Sequence, residues 1–349
     1  MYIYWITCLY SMLIALFVVR LGLSKDKKVL VSLITLLPLL ILSSLRYGVG
    51  TDYANYTHIY LEEIPLGQDR DGRLEPAYYF LCRILYFLGA PNQVQFIVLS
   101  LITLWCIYLY IWKESPSPIL SIFLFIGMTF YMGSLNTVRQ YVAVAILLYG
   151  LTFFFNKDKF RFLFFALIAA LFHKSALFFL VYVLLVDFIC FSRRQLFVCL
   201  LLYIGMLPVL LEKLHMMFVG TDYEYFFMYS SSFTWQTFVG FFVILSLYGL
   251  ASLFYCDSYK YSILYSILFG QVLVVYLGFY YPEISARLKI LFAVPLVVFI
   301  PMILNNIKSF RLNLLMKTLF VTYYFLYAEL VVDVYEGYGV VPYRTILGE

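Results

Sequence analysis

The sequence predicts an all-α polytopic integral membrane protein, and three observations carry that prediction. Hydrophobic residues make up 64% of the 349 and charged residues only 12%, whereas soluble domains are about one quarter charged. Mean hydropathy is +0.92. The apolar residues form continuous runs near the ~20 residues that a helix needs to cross a hydrocarbon core, rather than the alternating ~10-residue segments of an outer-membrane barrel.

Read in order, the apolar runs place about twelve transmembrane helices at roughly 2–19, 29–45, 94–112, 119–133, 138–155, 160–172, 175–190, 196–211, 235–255, 261–281, 290–304 and 314–331. The breaks fall at Pro, Gly, Asn and charge clusters, such as Lys113-Glu-Ser-Pro-Ser-Pro118 and Asn156-Lys-Asp-Lys-Phe-Arg161. Residues 1–349 are expected to form a single transmembrane domain, with 46–93 as its main extracytoplasmic loop. The first run has no basic residue before it and is followed by Arg20, Lys25, Lys27 and Lys28. It therefore reads as an anchor rather than a cleaved signal, with Met1 outside.

Two segments allow alternatives. Pro76–Leu88 is short and carries Arg83, so it either spans or lies as an interfacial or re-entrant helix near 76–88. Keeping it outside puts fourteen of the 24 Lys and Arg on the cytoplasmic side, whereas letting it span leaves ten or eleven there. The positive-inside rule favours the first arrangement. Residues 160–190 would make a helix of about 46 Å and would hold Lys174 near the midplane at a cost of about 2.5–3.5 kcal/mol. A short helical hairpin with His173 at the turn avoids that cost.

The net charge of +5 is spread along the chain, which gives no nucleic-acid surface. The six cysteines have no metal-ligand spacing and read as small hydrophobes. Four polar clusters fall on one external face in this threading. Arg46-Tyr-Gly-Val-Gly-Thr-Asp52 pairs a cation and an acid with two glycines, which suits a turn close to a phosphate or a sugar hydroxyl. An interfacial turn with a snorkelling Arg46 is the plain alternative. Asn136-Thr-Val-Arg139 opens a helix, where free N–H groups and a planar guanidinium can grip a phosphate; a simple helix cap would look the same. His173-Lys174-Ser175 offers a general base and a cation, or else a capped turn. Glu283-Ile-Ser-Ala-Arg287 contributes a further cation or an ordinary loop. Several cations with one His and one Asp around an outward depression is what an anionic lipid headgroup requires. No Asp-x-Asp pattern calls for a metal there, so no metal and no cofactor is expected.

Arg46-Tyr-Gly-Val-Gly-Thr-Asp52-Tyr53 with Tyr56, then Glu75-Pro-Ala-Tyr, Asn136-x-x-Arg139-Gln140 and His173-Lys-Ser-Ala-Leu, in that order, resemble the EpsG family of Wzy-like polysaccharide polymerases. The resemblance implies assembly of an exopolysaccharide, capsule or O-antigen on the extracytoplasmic face of a bacterial inner membrane. In such a reaction, undecaprenyl-diphosphate-linked oligosaccharide repeat units are joined with lipid diphosphate as leaving group. It implies a metal-independent membrane glycosyltransferase in which Arg46, Arg139, Lys174 and Arg287 hold the diphosphate. His173 or Asp52 would activate the acceptor, and Tyr53, Tyr56, Glu75, Asn136 and Gln140 would position substrate. Its partners would be the lipid-linked oligosaccharide, the bilayer, a chain-length regulator and a flippase. A lipid-linked oligosaccharide flippase and another membrane transferase (a ligase or an O-acyltransferase) are the competing readings. A transporter would place its site near the midplane on broken helices of repeated halves, and neither feature is visible in this sequence.

Overall fold

The computed structural model describes residues 1–22, 25–67, 74–189, 192–218, 220 and 234–347. Residues 68–73 of the external loop therefore lie outside the described part. Among the described residues the secondary structure is helical with no strand, apart from one isolated bridge between Arg46 and Thr345. Contacts divide the chain into two units, Met1–Leu177 with Ile300–Glu349, and Phe178–Phe299.

In the first unit α1 (Tyr2–Arg20) and α2 (Lys25–Leu45) lead into α3 (Tyr53–His58), which runs on through a π-helical turn, Ile59–Glu63, to Leu66. There follow α4 (Pro76–Phe87), α5 (Gln93–Glu114), α6 (Pro118–Gly127), α7 (Phe130–Asn136), α8 (Val138–Phe154) and α9 (Lys159–Phe172). Helix α8 is buried on every side, from Gln140 to Leu148 and again at Gly150–Thr152, as a helix that is apolar all round beyond its first turn must be inside a bundle. It packs on α9 and α5, with α2 on the far side of α5. Helix α1 is apolar but exposes Ile6, Leu9, Leu13 and Phe17. That face is suited to lipid tails rather than to water.

The second unit holds most of α10 (Ala176–Ile189), then α11 (Arg193–Phe218), α12 (Trp235–Leu253), α13 (Tyr259–Leu277) and α14 (Pro282–Ala293). Helix α13 packs between α12 and α14, and a small apolar cluster joins Leu207 and Leu211 of α11 to Tyr281. Helix α15 (Leu296–Asn305) continues the chain back to the first unit, which ends with α16 (Phe310–Ala328) and a π-helical turn, Glu329–Val334.

The expected helices are present, but about twelve spans is more than they support. Among the described residues, five are long and apolar enough to cross a membrane: Tyr2–Arg20, Gln93–Glu114, Trp235–Leu253, Tyr259–Leu277 and Phe310–Val334. The number rises to seven if each of two bent pairs counts as one span. The reason is length. Helices α6 and α7 bend by 52° at Met128 and Thr129, where Thr129 takes a left-handed conformation (φ 62°). Helices α9 and α10 have 14 residues each, which is about 21 Å of helix against a hydrocarbon core of about 30 Å. The 12-residue α4 is shorter still.

Candidate functional site

The first two motifs, far apart in sequence, are joined through backbone. After α2 ends at Leu45, the chain Arg46–Asp52 lies against the C-terminal tail. Tyr47 N–H donates to the Arg344 carbonyl at 3.0 Å, Gly50 N–H to Gly339 at 2.9 Å and Thr51 N–H to Tyr338 at 3.0 Å. Gly50 has φ +101°, and a Cβ there would stand 2.6 Å from the Leu135 carbonyl oxygen, so only glycine allows this approach. The next residue, Asn136, closes the joint. Its Oδ1 accepts from Thr51 Oγ1 at 2.7 Å and from the Asp52 N–H at 2.9 Å.

Arg46 anchors the junction from inside. It is fully buried, donates from Nη1 to the Leu135 carbonyl, and lies 4.7 Å from the centroid of the Phe96 ring. Its Nε and Nη2 make no hydrogen bond among the described residues. Burial lowers its pKa to about 10, still well above neutrality, so the side chain keeps its charge. A desolvated cation over an aromatic face is worth about 2 kcal/mol. Arg46 thus ties α2, α5 and the α7–α8 junction together beneath the loop.

Arg139 occupies the first turn of α8. Its Nη1 pairs with Glu75 Oε2 at 2.5 Å, and its guanidinium lies 5.8 Å from the Tyr56 ring and 5.4 Å from the Tyr78 ring. The Arg139 N–H also donates to Tyr56 Oη at 3.4 Å. Glu75 precedes Pro76 at the start of α4, and that start places the carboxylate. Gln95 braces the rings behind the pair: it accepts from Tyr78 Oη at 3.0 Å and donates to the Tyr56 carbonyl at 3.2 Å. Tyr53 stacks on Phe96 at 4.6 Å and donates to Gln93 Oε1 at 3.3 Å. Gln140 is buried in α8. Asp52 is partly exposed beside this group. Burial raises its carboxyl pKa, and the nearby Arg139 charge pulls it back down.

His173 follows the last turn of α9 in an extended conformation (φ −159°, ψ 121°) that stops the helix. Its Nδ1 lies 2.7 Å from Ser175 Oγ and accepts the Ser175 N–H at 3.3 Å; Lys174 is exposed. Ring contacts set the level of this turn against α8. Phe165 meets Tyr149 at 5.0 Å and Phe153 at 5.4 Å, and Phe162 meets Phe154 at 4.8 Å. Following this antiparallel register to its end brings His173 level with the first two turns of α8, where Arg139 sits. Helix α4, which Glu75 begins, packs on α9 as well.

Arg46, Asp52, Tyr53, Tyr56, Glu75, Asn136, Arg139 and Gln140 therefore converge in the first unit, with His173 and Lys174 at the same end of the α8–α9 pair. Arg287 lies on α14 in the other unit. The bracing residues Gln93, Gln95 and Phe96, and the tail Tyr338–Thr345, were not singled out by sequence, whereas Tyr78 closes the Glu75-Pro-Ala-Tyr motif. A glutamine pair opening an otherwise apolar span was a usable signal for the first two, whereas the tail had none. Among the described residues no three His, Cys, Asp or Glu side chains are grouped as metal ligands would be. Chemically, the cluster offers a cation held between two aromatic faces and a carboxylate, a second carboxylate open to approach, and a histidine.

No curated protein and no solved structure matches the chain. The model of the EpsG family matches residues 29–345, and the chain belongs to that family.

Proposed function

We propose that this EpsG-family membrane protein is a polysaccharide polymerase that joins undecaprenyl-diphosphate-linked oligosaccharide repeat units on the extracytoplasmic face of a bacterial inner membrane. The observation that carries the reading is the meeting of the Arg46–Asp52, Glu75 and Asn136–Gln140 motifs around one guanidinium, within a bundle whose outer helices are clad in apolar side chains. Arg139 is the diphosphate ligand. A planar fork matches two phosphate oxygens, and as the glycosidic bond to phosphate breaks, the charge growing on the leaving oxygen strengthens that contact. Glu75 and the rings of Tyr56 and Tyr78 hold the fork in place before substrate arrives, so little reorganisation is needed at the moment of reaction. Lys174 is a further candidate cation. Arg46 supports the site from beneath. The transfer itself is glycosyl transfer without a metal ion, and a flippase and a chain-length regulator are the partners it would work beside.

In this reading the short apolar helices also lie in the hydrocarbon. Helix α8 has 17 residues, about 26 Å, and its complete enclosure by neighbours removes the need to match the ~30 Å core. Counting such helices brings the spans above seven and toward twelve.

Product analysis tests the function. The purified protein in nanodiscs, given undecaprenyl-diphosphate-linked repeat unit and chelator, is expected to yield a ladder of lengthening glycan. Arg139→Ala should reduce the initial rate by about 10²–10³-fold at equal protein level. A single addition would instead indicate a ligase. Absence of any new bond, with lipid-linked sugar crossing the vesicle membrane, would indicate a flippase.

A further inference from the structure

A second group of cations gathers at the end of α8 opposite Arg139. Lys113, in the last turn of α5, holds its Nζ 4.9 Å from the centroid of the Tyr149 ring and 5.5 Å from that of Phe153. Arg161, in the first turn of α9, holds its guanidinium carbon 5.5 Å from the same Phe153 ring. Neighbouring rings fix Phe153 in turn: Phe165 stacks on it at 5.4 Å and Tyr149 meets it edge to face at 5.3 Å. Helices α5 and α9 thus bring one positive charge each to a single ring of α8. An aromatic face attracts a cation through its quadrupole and leaves N–H donors to spend elsewhere. Arg161 pairs through Nε with Asp158 Oδ2 at 3.2 Å. Among the described residues its Nη groups and the Lys113 ammonium make no hydrogen bond or ion pair. Lys113 is half-buried and Arg161 exposed, so both can be reached from outside. Lys113-Glu114 and Lys157–Arg161 together carry four cations against two acids, which leaves this end positive.

We infer that Lys113 and Arg161 form a site for the phosphate of an anionic phospholipid whose acyl chain lies along α9. Charge alone would suit any soluble anion, and the helix beside the charges selects a lipid. Phe160, Leu163, Phe164, Leu167 and Leu171 are all exposed and recur at helical spacing down one side of α9, while Phe162, Ala166 and Ala169 on the other side are buried. Such a stripe belongs in hydrocarbon rather than in water. From Phe160 to Leu171 it rises about 17 Å, close to one leaflet of a ~30 Å core. The two cations stand where the stripe begins, the level of the headgroups, and basic pockets between membrane helices are where acidic headgroups bind. The rings of Tyr149 and Phe153 hold both cations in place before the lipid arrives, so little side-chain freedom is lost on binding. The site is independent of the polymerase reading, since the ligand is a component of the bilayer itself.

Native mass spectrometry of the full-length protein in detergent, titrated with phosphatidylglycerol or with phosphatidylcholine of the same acyl chains, tests the site. The wild type should hold its first phosphatidylglycerol about tenfold more tightly than phosphatidylcholine. Lys113→Gln combined with Arg161→Gln should lose that preference. Lys308→Gln combined with Arg311→Gln removes the same charge from the exposed α15–α16 turn and should keep it. No preference in the wild type overturns the inference. Equal loss in the two double variants also overturns it, because basic turns in general would then attract acidic lipid. If the first double variant does not fold, Lys113→Gln alone decides: a preference reduced about threefold supports the site, and an unchanged one refutes it. Glycerol phosphate, which carries the charge without acyl chains, should bind the wild type at least about tenfold more weakly than phosphatidylglycerol. Equal affinity would make the site one for a soluble phosphate and overturn the role given to α9.

Discussion

At the scale of single residues, the charges of the cluster are held rather than free. Glu75 and Arg139 are both largely out of solvent and pair at 2.5 Å, so removing one leaves the other poorly compensated. Glu75→Gln should lower the thermal midpoint in detergent, at a cost of about 1–3 kcal/mol. Added undecaprenyl diphosphate should restore that midpoint by more than it raises the wild type's, because the phosphate then takes the place of the lost Glu75 charge beside Arg139. Equal shifts in the two proteins would remove Arg139 from the diphosphate site. A pH profile examines Asp52. Burial raises its carboxyl pKa from the ordinary aspartate value, with Arg139 opposing. The carboxylate therefore protonates, and its ability to accept a proton is lost, at a higher pH on acidification than for a solvated aspartate. Polymerisation should fall on that limb, and Asp52→Asn should be slow and lack it. Arg46, Asp52, Asn136 and Arg139 were legible in the sequence because charged and amide side chains stand out against apolar runs. What sequence could not assign was their division of labour. Arg46 looks as much like a phosphate ligand as Arg139 does, and only its burial over Phe96 and its bond to the Leu135 carbonyl show it bracing the fold.

At the scale of elements, the loop after α2 is placed by partners from distant parts of the chain. Leu135 and Asn136 receive it from one side, and the tail Tyr338–Arg344 receives it from the other. Gly50 sits at the closest approach. Gly50→Ala would carry a Cβ into the Leu135 carbonyl at a backbone angle that disfavours side chains, a strain of about 1–3 kcal/mol. The expected outcome is a lowered thermal midpoint together with a larger loss of polymer yield. Gly48→Ala is the useful control, since φ is again positive but its Cβ would meet nothing within 4 Å. Equal effects at both positions would mean that the contact with Leu135 does not matter. The tail is also where sequence reading fell short. Val341-Pro-Tyr-Arg344 carries no periodicity and few charges, and its pairing with residues about 300 positions away leaves no local signature. Most helix positions were legible to within a few residues, because Pro, Gly and charge clusters do mark the ends; the exception is Glu283–Arg287, expected between spans but lying in helix α14, so that the run read as 290–304 is the end of α14 and almost all of α15. The number of spans was not, because hydropathy records that a segment is apolar without recording whether lipid or protein surrounds it. Helix α8 and helix α1 look alike on that scale, and one is enclosed while the other faces outward.

At the scale of the whole molecule, the claim is that one end of the first unit faces the extracytoplasmic space with its polar cluster, while the basic turns Lys113–Ser117 and Lys157–Arg161 face the cytoplasm. Single cysteines introduced at Ala54 and at Lys157, in a background with the native cysteines replaced, should react with a membrane-impermeant thiol reagent from opposite sides of right-side-out vesicles. Ala54→Cys should label without permeabilisation and Lys157→Cys only after it. The reverse pattern would place the cluster in the cytoplasm, where an extracytoplasmic polymerase could not use it.

The most direct test of the account is the affinity of the intact protein for its lipid diphosphate. Native mass spectrometry of the protein in nanodiscs, titrated with undecaprenyl-diphosphate-linked repeat unit, should show one bound lipid on the wild type and about tenfold or greater weakening in Arg139→Ala, the loss of a charge-assisted, two-pronged contact. Unchanged binding in that variant, with the protein folded, would contradict the assignment of this cluster as the place where the lipid-linked substrate is held.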